Sequence, residues 1–259
     1  VLAGLVLLER KRPLRRERES KLLRNGRNLA VAALGALTVH LLEAPAVQPL
    51  ARSVGQRKLG LLKQMNLPRP LEIITAIVLM DYTLYLWHVL THRVPFLWRF
   101  HAVHHVDLDL DASTALRFHF SELAVSVPYR AAQVVLLGVD AEALSYWQIF
   151  LSLSILFHHS NVRLPRKLES ALSWFLVTPR MHGIHHSNEP AEANTNWSSG
   201  LACWDHIHRT FRLDIPQEQI HIGVKGIDTE ERVRLPKILT QPFRDVPEVT
   251  AFLRASSLD

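Results

Sequence analysis

Cysteine is almost missing. Among 259 residues only Cys203 is present, so no intrachain disulfide, CxxC zinc knuckle or CxxCH haem attachment can form, and no iron–sulfur cluster can be ligated. Glycine is scarce, at 10 residues, and no GxGxxG stretch exists to cradle a nucleotide. No run of about 20 uncharged apolar residues, the usual mark of a membrane span, occurs anywhere. Internal repeats at a solenoid period are absent. What the chain has in quantity is apolar surface, at 48% of residues, which excludes disorder as a general state. A mean hydropathy of +0.06 suggests apolar spans joined to a polar region. Histidine is in excess, with 15 copies, and 11 of them lie between His88 and His186.

A net charge of +6 could suggest nucleic acid, but its distribution argues against that. Residues 10–27 carry nine Lys/Arg against two Glu, between the apolar runs Val1–Leu8 and Leu29–Leu42. A basic block so placed reads as a cytoplasmic loop facing anionic lipid under the positive-inside rule. A solvated linker or an RNA-binding arm is the plainer alternative. The chain opens mid-way through an apolar stretch, which reads as a truncated first span. Four apolar segments of helical character follow, at about 28–50, 69–90, 121–139 and 141–158. Each carries a polar interruption: His40, Glu43 and Pro45 in the first, Glu72 and Asp81 in the second, Arg130 in the third. Each alone could be a buried helix of a soluble protein. As two hairpins they return the chain to the side of the basic loop at His88 and again at His158. Residues 165–259 are more polar and rich in proline.

The histidines recur at helical spacings. His88 and His92 share a helix face, as do the members of His101-x-x-His104-His105 and of His182-x-x-His185-His186, while His158 and His159 end an apolar segment. Imidazole is the commonest protein ligand for zinc, copper, iron and nickel. Eight or more of them exceed the four ligands of one zinc site, so two metal ions is the economical reading. A lone HxxxH pair would be an ordinary surface or core feature; so many ionisable groups near a bilayer need a common partner. A zinc hydrolase of the HExxH type is disfavoured, since Val89 and Gly183 stand where its glutamate would be. A non-catalytic metal-binding membrane protein is the remaining different class.

The order HxxxH (88–92), HxxHH (101–105), HHSNVRLP (158–165) and HxxHH (182–186) resembles the fatty acid hydroxylase / sterol desaturase superfamily of membrane-bound di-iron oxygenases. The stretches DYTLYLWHVLTH, WRFHAVHHVD and WDHIHRTFR add to the likeness, which covers residues 75–212 or so. It implies an all-α, polytopic membrane bundle of about four transmembrane helices with a cytoplasmic histidine-rich cap. The implied organisation is a truncated first span and basic loop (1–27), a membrane-bound di-metal oxygenase domain (28–212) and a polar cytoplasmic tail (213–259). The implied ligands are His88, His92, His101, His104, His105, His159, His182, His185 and His186, holding two iron ions, with zinc able to replace iron in purified material. His158 could bind if its helix rotates, and His119, in an Arg-x-His-x-x-Glu element (Arg117 to Glu122), is either a ligand or an orienting group. Asp81 and Asn161 are candidates to orient the ligands, Asp81 equally a helix-packing residue.

The implied reaction is O2-dependent hydroxylation of a lipid C–H bond, with desaturation as the alternative within oxidation. Electrons must come from an external reductase, ferredoxin or haem carrier, and Arg15, Arg16 and Arg18 are its expected docking cations. Two departures from the family pattern stand out: Asn196-Trp197-Ser198 where relatives have Asn-aromatic-Gly, and Trp204-Asp205-His206-Ile207-His208-Arg209-Thr210 where they have Trp-Asp-x-x-Phe-Gly-Thr. His206 and His208, two apart, do not share a helix face and are expected at the surface or at a donor interface. Trp174, Trp197 and Trp204 are expected as interface or core aromatics.

Overall fold

The computed structural model describes residues 1–256. It is helical throughout, and among the described residues extended pairing is limited to isolated bridges such as Leu176 with Leu201. After α1 (Leu2–Lys11), one long helical rod is built from α2 (Lys21–Thr38), a π-helical turn (Val39–Glu43) and α3 (Ala44–Arg57). The expected interruption by His40, Glu43 and Pro45 is thus absorbed rather than breaking the rod. Pro45 lacks the N–H that would bond one turn back and its ring crowds that carbonyl, and a widened turn relieves both. The rod ends at Lys58 in the left-handed conformation, and Gly60 and Gly138 then meet back to back. A Cβ on Gly60 would come within 2.4 Å of the Gly138 backbone, so no larger residue fits that crossing.

The short α4 (Leu61–Gln64) leads to α5 (Arg69–Arg93), 25 residues without a Gly or Pro beyond its first turn. It stops because Val94 precedes Pro95 and is held extended. Then come α6 (Pro95–His105), α7 (Phe120–Leu137) and α8 (Ala141–His159). Asp140 caps α8 by accepting the Ala143 N–H, and Lys63 and Arg69 reach the same carboxylate, tying together the bundle end farthest from the histidines. The remainder is short helices and loops: α9 (Arg166–Leu172), α10 (Pro179–His185), α11 (Pro190–Ala193), α12 (Cys203–His208), α13 (Leu235–Thr240) and α14 (Pro247–Ser256).

Two helical stretches, Lys21–Gln64 and Arg69–Arg93, are long and apolar enough to cross a membrane. Their outward faces carry bare Leu22, Leu29, Leu37, Leu41, Leu71 and Ile74, apolar surface that a lipid environment would cover. The segments at 121–139 and 141–158 form helices as expected, α7 and α8, but fall outside that pair; α7 carries Glu122 and Arg130 within its 18 residues. One apolar core, including Val47, Ala51, Met80, Val134 and Trp147, joins α3, α5, α7 and α8. A second, around Val31, Trp98, Val103, Val233 and Phe252, seats the C-terminal segments against α6.

Part of the basic block is turned inward, where lipid was expected to be faced. Arg24 is buried, with Nε on Asp107 at 3.1 Å and Nη1 on Asp111 at 2.7 Å, and Arg27 forms a fork with Glu19. Lys21 pairs with Glu9, and Asp109 accepts the main-chain N–H groups of Arg18 and Glu19. Asp107 and Asp111, beside Arg24, are held below the usual carboxylate range against the opposing effect of burial. Their alternating spacing after His105 supplies buried counter-charges for these cations. Arg10, Arg12, Arg16 and Arg18 remain exposed.

Candidate metal centre

The nine histidines with matched box positions are all buried, and their ring nitrogens converge in two groups. His88, His92, His101, His105 and His185 form one; His104, His159, His182 and His186 form the other, with one nitrogen of each within 4.8 Å of every other in its group. Four stretches of chain contribute. α5 projects His88 and His92 from one face near its end, α8 ends on His159, and α6 and α10 each carry an HxxHH box. Both boxes are split. His101 and His105 of α6 go to the five-membered group and His104 to the four-membered one; on α10, His182 and His186 join the four-membered group and His185 the other. The two groups are neighbours, with the His105 and His186 rings stacked at 4.3 Å between centroids.

The nitrogen spacings suit coordination. Nε2 of His159 lies 3.0 Å from Nε2 of both His104 and His182, His186 Nε2 is 3.0 Å from His182 Nε2, and His88 and His101 approach to 3.2 Å. Two ligands bonded at about 2.1 Å and set at right angles around one ion stand about 3.0 Å apart. Nε2 of His92, His105 and His185 is buried with no hydrogen-bond partner. Each such nitrogen costs about 1–3 kcal/mol if nothing satisfies it. All three belong to the five-membered group, where one central cation would satisfy them at once, and the 3.0 Å spacings of the four-membered group suit a second, so these residues fit a pair of metal ions. Burial holds the imidazoles of His104, His105, His182 and His186 well below their usual pKa, reinforced by neighbouring rings, and lowers His185 to about 3. All five are therefore neutral at pH 7, with the lone pair free that a metal requires.

Four rings are oriented from behind. Nδ1 of His88 meets the Trp197 carbonyl at 2.7 Å, that of His185 the Thr195 carbonyl at 2.9 Å, and that of His159 the Ile155 carbonyl at 2.8 Å. His101 Nδ1 meets Glu122 Oε1 at 2.7 Å. Each contact favours the tautomer protonated on Nδ1, which turns Nε2 inward. Glu122 was not singled out from the sequence as an orienting residue, although it closes the Arg-x-His-x-x-Glu element. Arg117 of that element donates to Asn28 and to the Val103 carbonyl, and so supports α6 instead.

The remaining expectations are met elsewhere. His119 lies outside both groups and caps α7, its Nδ1 accepting the Ser121 N–H while Nε2 contacts the Leu239 carbonyl. His158 is also outside them, its ring 4.0 Å from that of His182, because it precedes His159 by one residue and leaves the helix in a different direction. Asp81 orients no imidazole: its Oδ2 accepts from Leu201 N at 2.9 Å and Trp204 Nε1 at 2.8 Å, which makes it a packing residue. Asn161 likewise serves the N-terminal segment, exchanging hydrogen bonds with the Arg15 main chain at 2.8 and 3.0 Å. Arg15 turns inward to Gln217 and the Pro179 carbonyl, leaving only Arg16 and Arg18 of the expected docking trio exposed. His206 is stacked between Trp174 and Phe211, and exposed His208 lies against Tyr85. Trp197 is buried, Trp204 half-buried and Trp174 exposed.

The chain is also similar in sequence to known proteins. The chain is 30% identical over 159 residues to an ornithine lipid hydroxylase of Rhizobium tropici, covering 61% of this chain and 47% of that protein. It is 26% identical over 140 residues to an alkylglycerol monooxygenase of Xenopus tropicalis, covering 54% and 29%. With a cholesterol 25-hydroxylase of Mus musculus it shares 24% over 165 residues, covering 62% and 54%. The chain thus spans about half the length of these relatives or less. No solved structure matches it. The fatty acid hydroxylase family model matches residues 73–210, which hold all nine converging histidines, and the chain belongs to that family.

Proposed function

We propose that residues 28–212 form a membrane-bound di-iron oxygenase unit that hydroxylates a lipid C–H bond with O2 and electrons from an external donor. The reading further takes α7 and α8 as a second membrane hairpin, making about four spans, with the histidine cap on the cytoplasmic side, residues 1–27 ahead of the unit and 213–259 as a cytoplasmic tail. The observation that carries it is the pair of buried groups of imidazoles whose ring nitrogens converge. His88, His92, His101, His105 and His185 would hold one ion and His104, His159, His182 and His186 the other. When bound, the two ions supply the chemistry that reduces O2, placing one oxygen atom in the lipid and releasing the other as water, for two electrons and two protons taken up. The chain does the rest. Glu122 and the carbonyls of Thr195, Trp197 and Ile155 fix the rings, and burial of the cap excludes bulk water. The relatives, an ornithine lipid hydroxylase, an alkylglycerol monooxygenase and a cholesterol 25-hydroxylase, support a lipid substrate.

The test couples metal analysis to lipid analysis. Iron-loaded protein should contain two ions per chain, and His104→Ala and His185→Ala should each lose one of them, because they strip different groups. Lipids from cells making the protein should gain one oxygen atom, and both variants should abolish that product. A loss of two hydrogens instead would assign desaturation. One ion per chain in the unaltered protein, or oxidised lipid persisting in both variants, refutes the reading.

A further inference from the structure

The cap carries an apolar patch that the metal centre does not use. Trp174 is 62% exposed, Phe175 71% and Ile207 65%, with Leu168 also exposed nearby in sequence. Surface loops and short helices seldom leave several large side chains bare together without a partner. The patch is rigidly held. Trp174 stacks on His206 at 4.4 Å with an interplanar angle of 3°, and the Phe175 carbonyl accepts the Ala202 N–H.

Its level in the molecule is fixed by the residues it joins. Ala202 follows Leu201, whose N–H is bound by Asp81, and Trp204 donates to the same carboxylate. Gly200 is wedged so tightly that a Cβ there would lie 2.4 Å from Asp81 Oδ1 and 2.6 Å from the Phe150 ring. Asp81 is seven residues before His88 on α5, about 10 Å along the helix, and Phe150 is nine before His159 on α8, about 13 Å. Both displacements run away from the histidines, toward the middle of α5. The paired segments 175–177 and 200–204 therefore descend from the cap to the depth of the helices. The neighbours of Phe150 on α8 continue the apolar surface, since Tyr146, Ile149 and Leu153 are exposed. Arg166, Lys167 and Arg209 are exposed in the same segments.

We propose that Leu168, Trp174, Phe175 and Ile207 form a membrane-inserting surface that enters one leaflet beside α5 and α8, with Arg166, Lys167 and Arg209 meeting anionic headgroups at its rim. The occupant is lipid rather than protein because the patch is tied through Gly200 and Phe150 to the helix that bears the exposed Tyr146, Ile149 and Leu153, and has exposed cations in its own segments, the combination that anchors interfacial segments. A main chain without regular structure is tolerated at that depth because its polar groups are satisfied by Asp81 and by the Val177–Gly200 and Ala202–Phe175 pairing. The inference rests on the membrane reading above and adds that the cap itself is partly embedded.

Spin labels test it on the full chain in nanodiscs of phosphatidylcholine and phosphatidylglycerol. In a Cys203→Ser background, Phe175→Cys is labelled and compared with Ile149→Cys on α8 and Glu218→Cys on the cap. Retention of the metal content of the unlabelled protein certifies each variant's fold. Accessibility to O2 relative to a water-soluble nickel chelate should be the same at 175 as at 149, and roughly tenfold higher than at 218, since water is excluded from the bilayer core. A ratio at 175 equal to that at 218, with 149 still lipid-like, overturns the inference while leaving the membrane reading intact. Shielding of 175 from both reagents, as under a second copy or a protein partner, also overturns it. Water-like values at both 149 and 175 would sink the membrane reading itself.

Discussion

At the scale of the residue, the splitting of the two HxxHH boxes follows from helix geometry. Successive residues turn by about 100°, so the first and last histidines of a box stand about 40° apart while the middle one lies about 60° to the other side. One box can then give two ligands to one ion and a single ligand to its neighbour. The histidine boxes were legible from spacing, and the family resemblance, not spacing, picked out the nine; their partition was legible in neither, because it depends on how α6 and α10 face each other. Glu122 was half legible, in an element whose histidine drew attention away from it. Glu122→Gln should keep the fold but release His101 from its preferred tautomer, weakening metal binding about 10–100-fold. Competition with a chelator measures that, and an unchanged affinity would deny Glu122 its orienting role. Asp81 and Asn161 show the converse: polar residues beside ligand motifs whose partners are main-chain groups far away in sequence.

At the scale of the element, the helices between residues 21 and 159 could be anticipated from apolar periodicity, and their ends from proline and glycine. The π-helical turn at Val39–Glu43 was visible only as an interruption, since sequence marks the fault and not the repair. The descent of the 197–204 loop between α5 and α8 left no periodic trace, because it depends on one glycine and one carboxylate 119 residues apart. Gly200→Ala should expose that dependence. Its methyl group has no space against Asp81 Oδ1 and the Phe150 ring, so overpacking should cost about 1–3 kcal/mol. Thermal unfolding in detergent reads the loss, and a variant as stable as the parent would mean the loop sits less tightly than described.

At the scale of the whole molecule, charge and protonation couple the cap to its surroundings. The buried cap imidazoles have folded pKa values below that of the unfolded chain, so unfolding takes up protons as pH falls below about 6.5. Asp107 and Asp111, held low by Arg24, contribute stability that is present above about pH 4 and lost below it. Stability without metal should therefore be flat near neutrality, fall from about pH 6.5 and fall further below about pH 4. Denaturant midpoints measured across that range check the sign, and stability rising on acidification would contradict it. The donor, in turn, should meet the exposed Arg10, Arg16, Arg18 and Arg163 around a cleft of about 1010 Å³ whose lining includes Arg15 and Gln217, both packed against Gly183 of α10. Arg16→Gln with Arg18→Gln should raise the KM for an acidic donor and flatten its salt dependence. No change in either would move donor docking off this face.

The straps that close the N-terminal segment over the cap have a consequence for biogenesis. Arg15 reaches Asn161 across 146 positions and Gln217 across 202, and Glu9 bonds the Asn161 main chain across 152. None of these partners exists while the early helices leave the ribosome, and the last of the nine clustered imidazoles, on His186, also comes long after those helices. Nascent chains must therefore wait, half assembled, with their first helices made and their ring nitrogens apart. On the di-metal reading, full metal loading would wait for His186, and the strap that seals the cap is tied only once its far anchor at Gln217 has been synthesised.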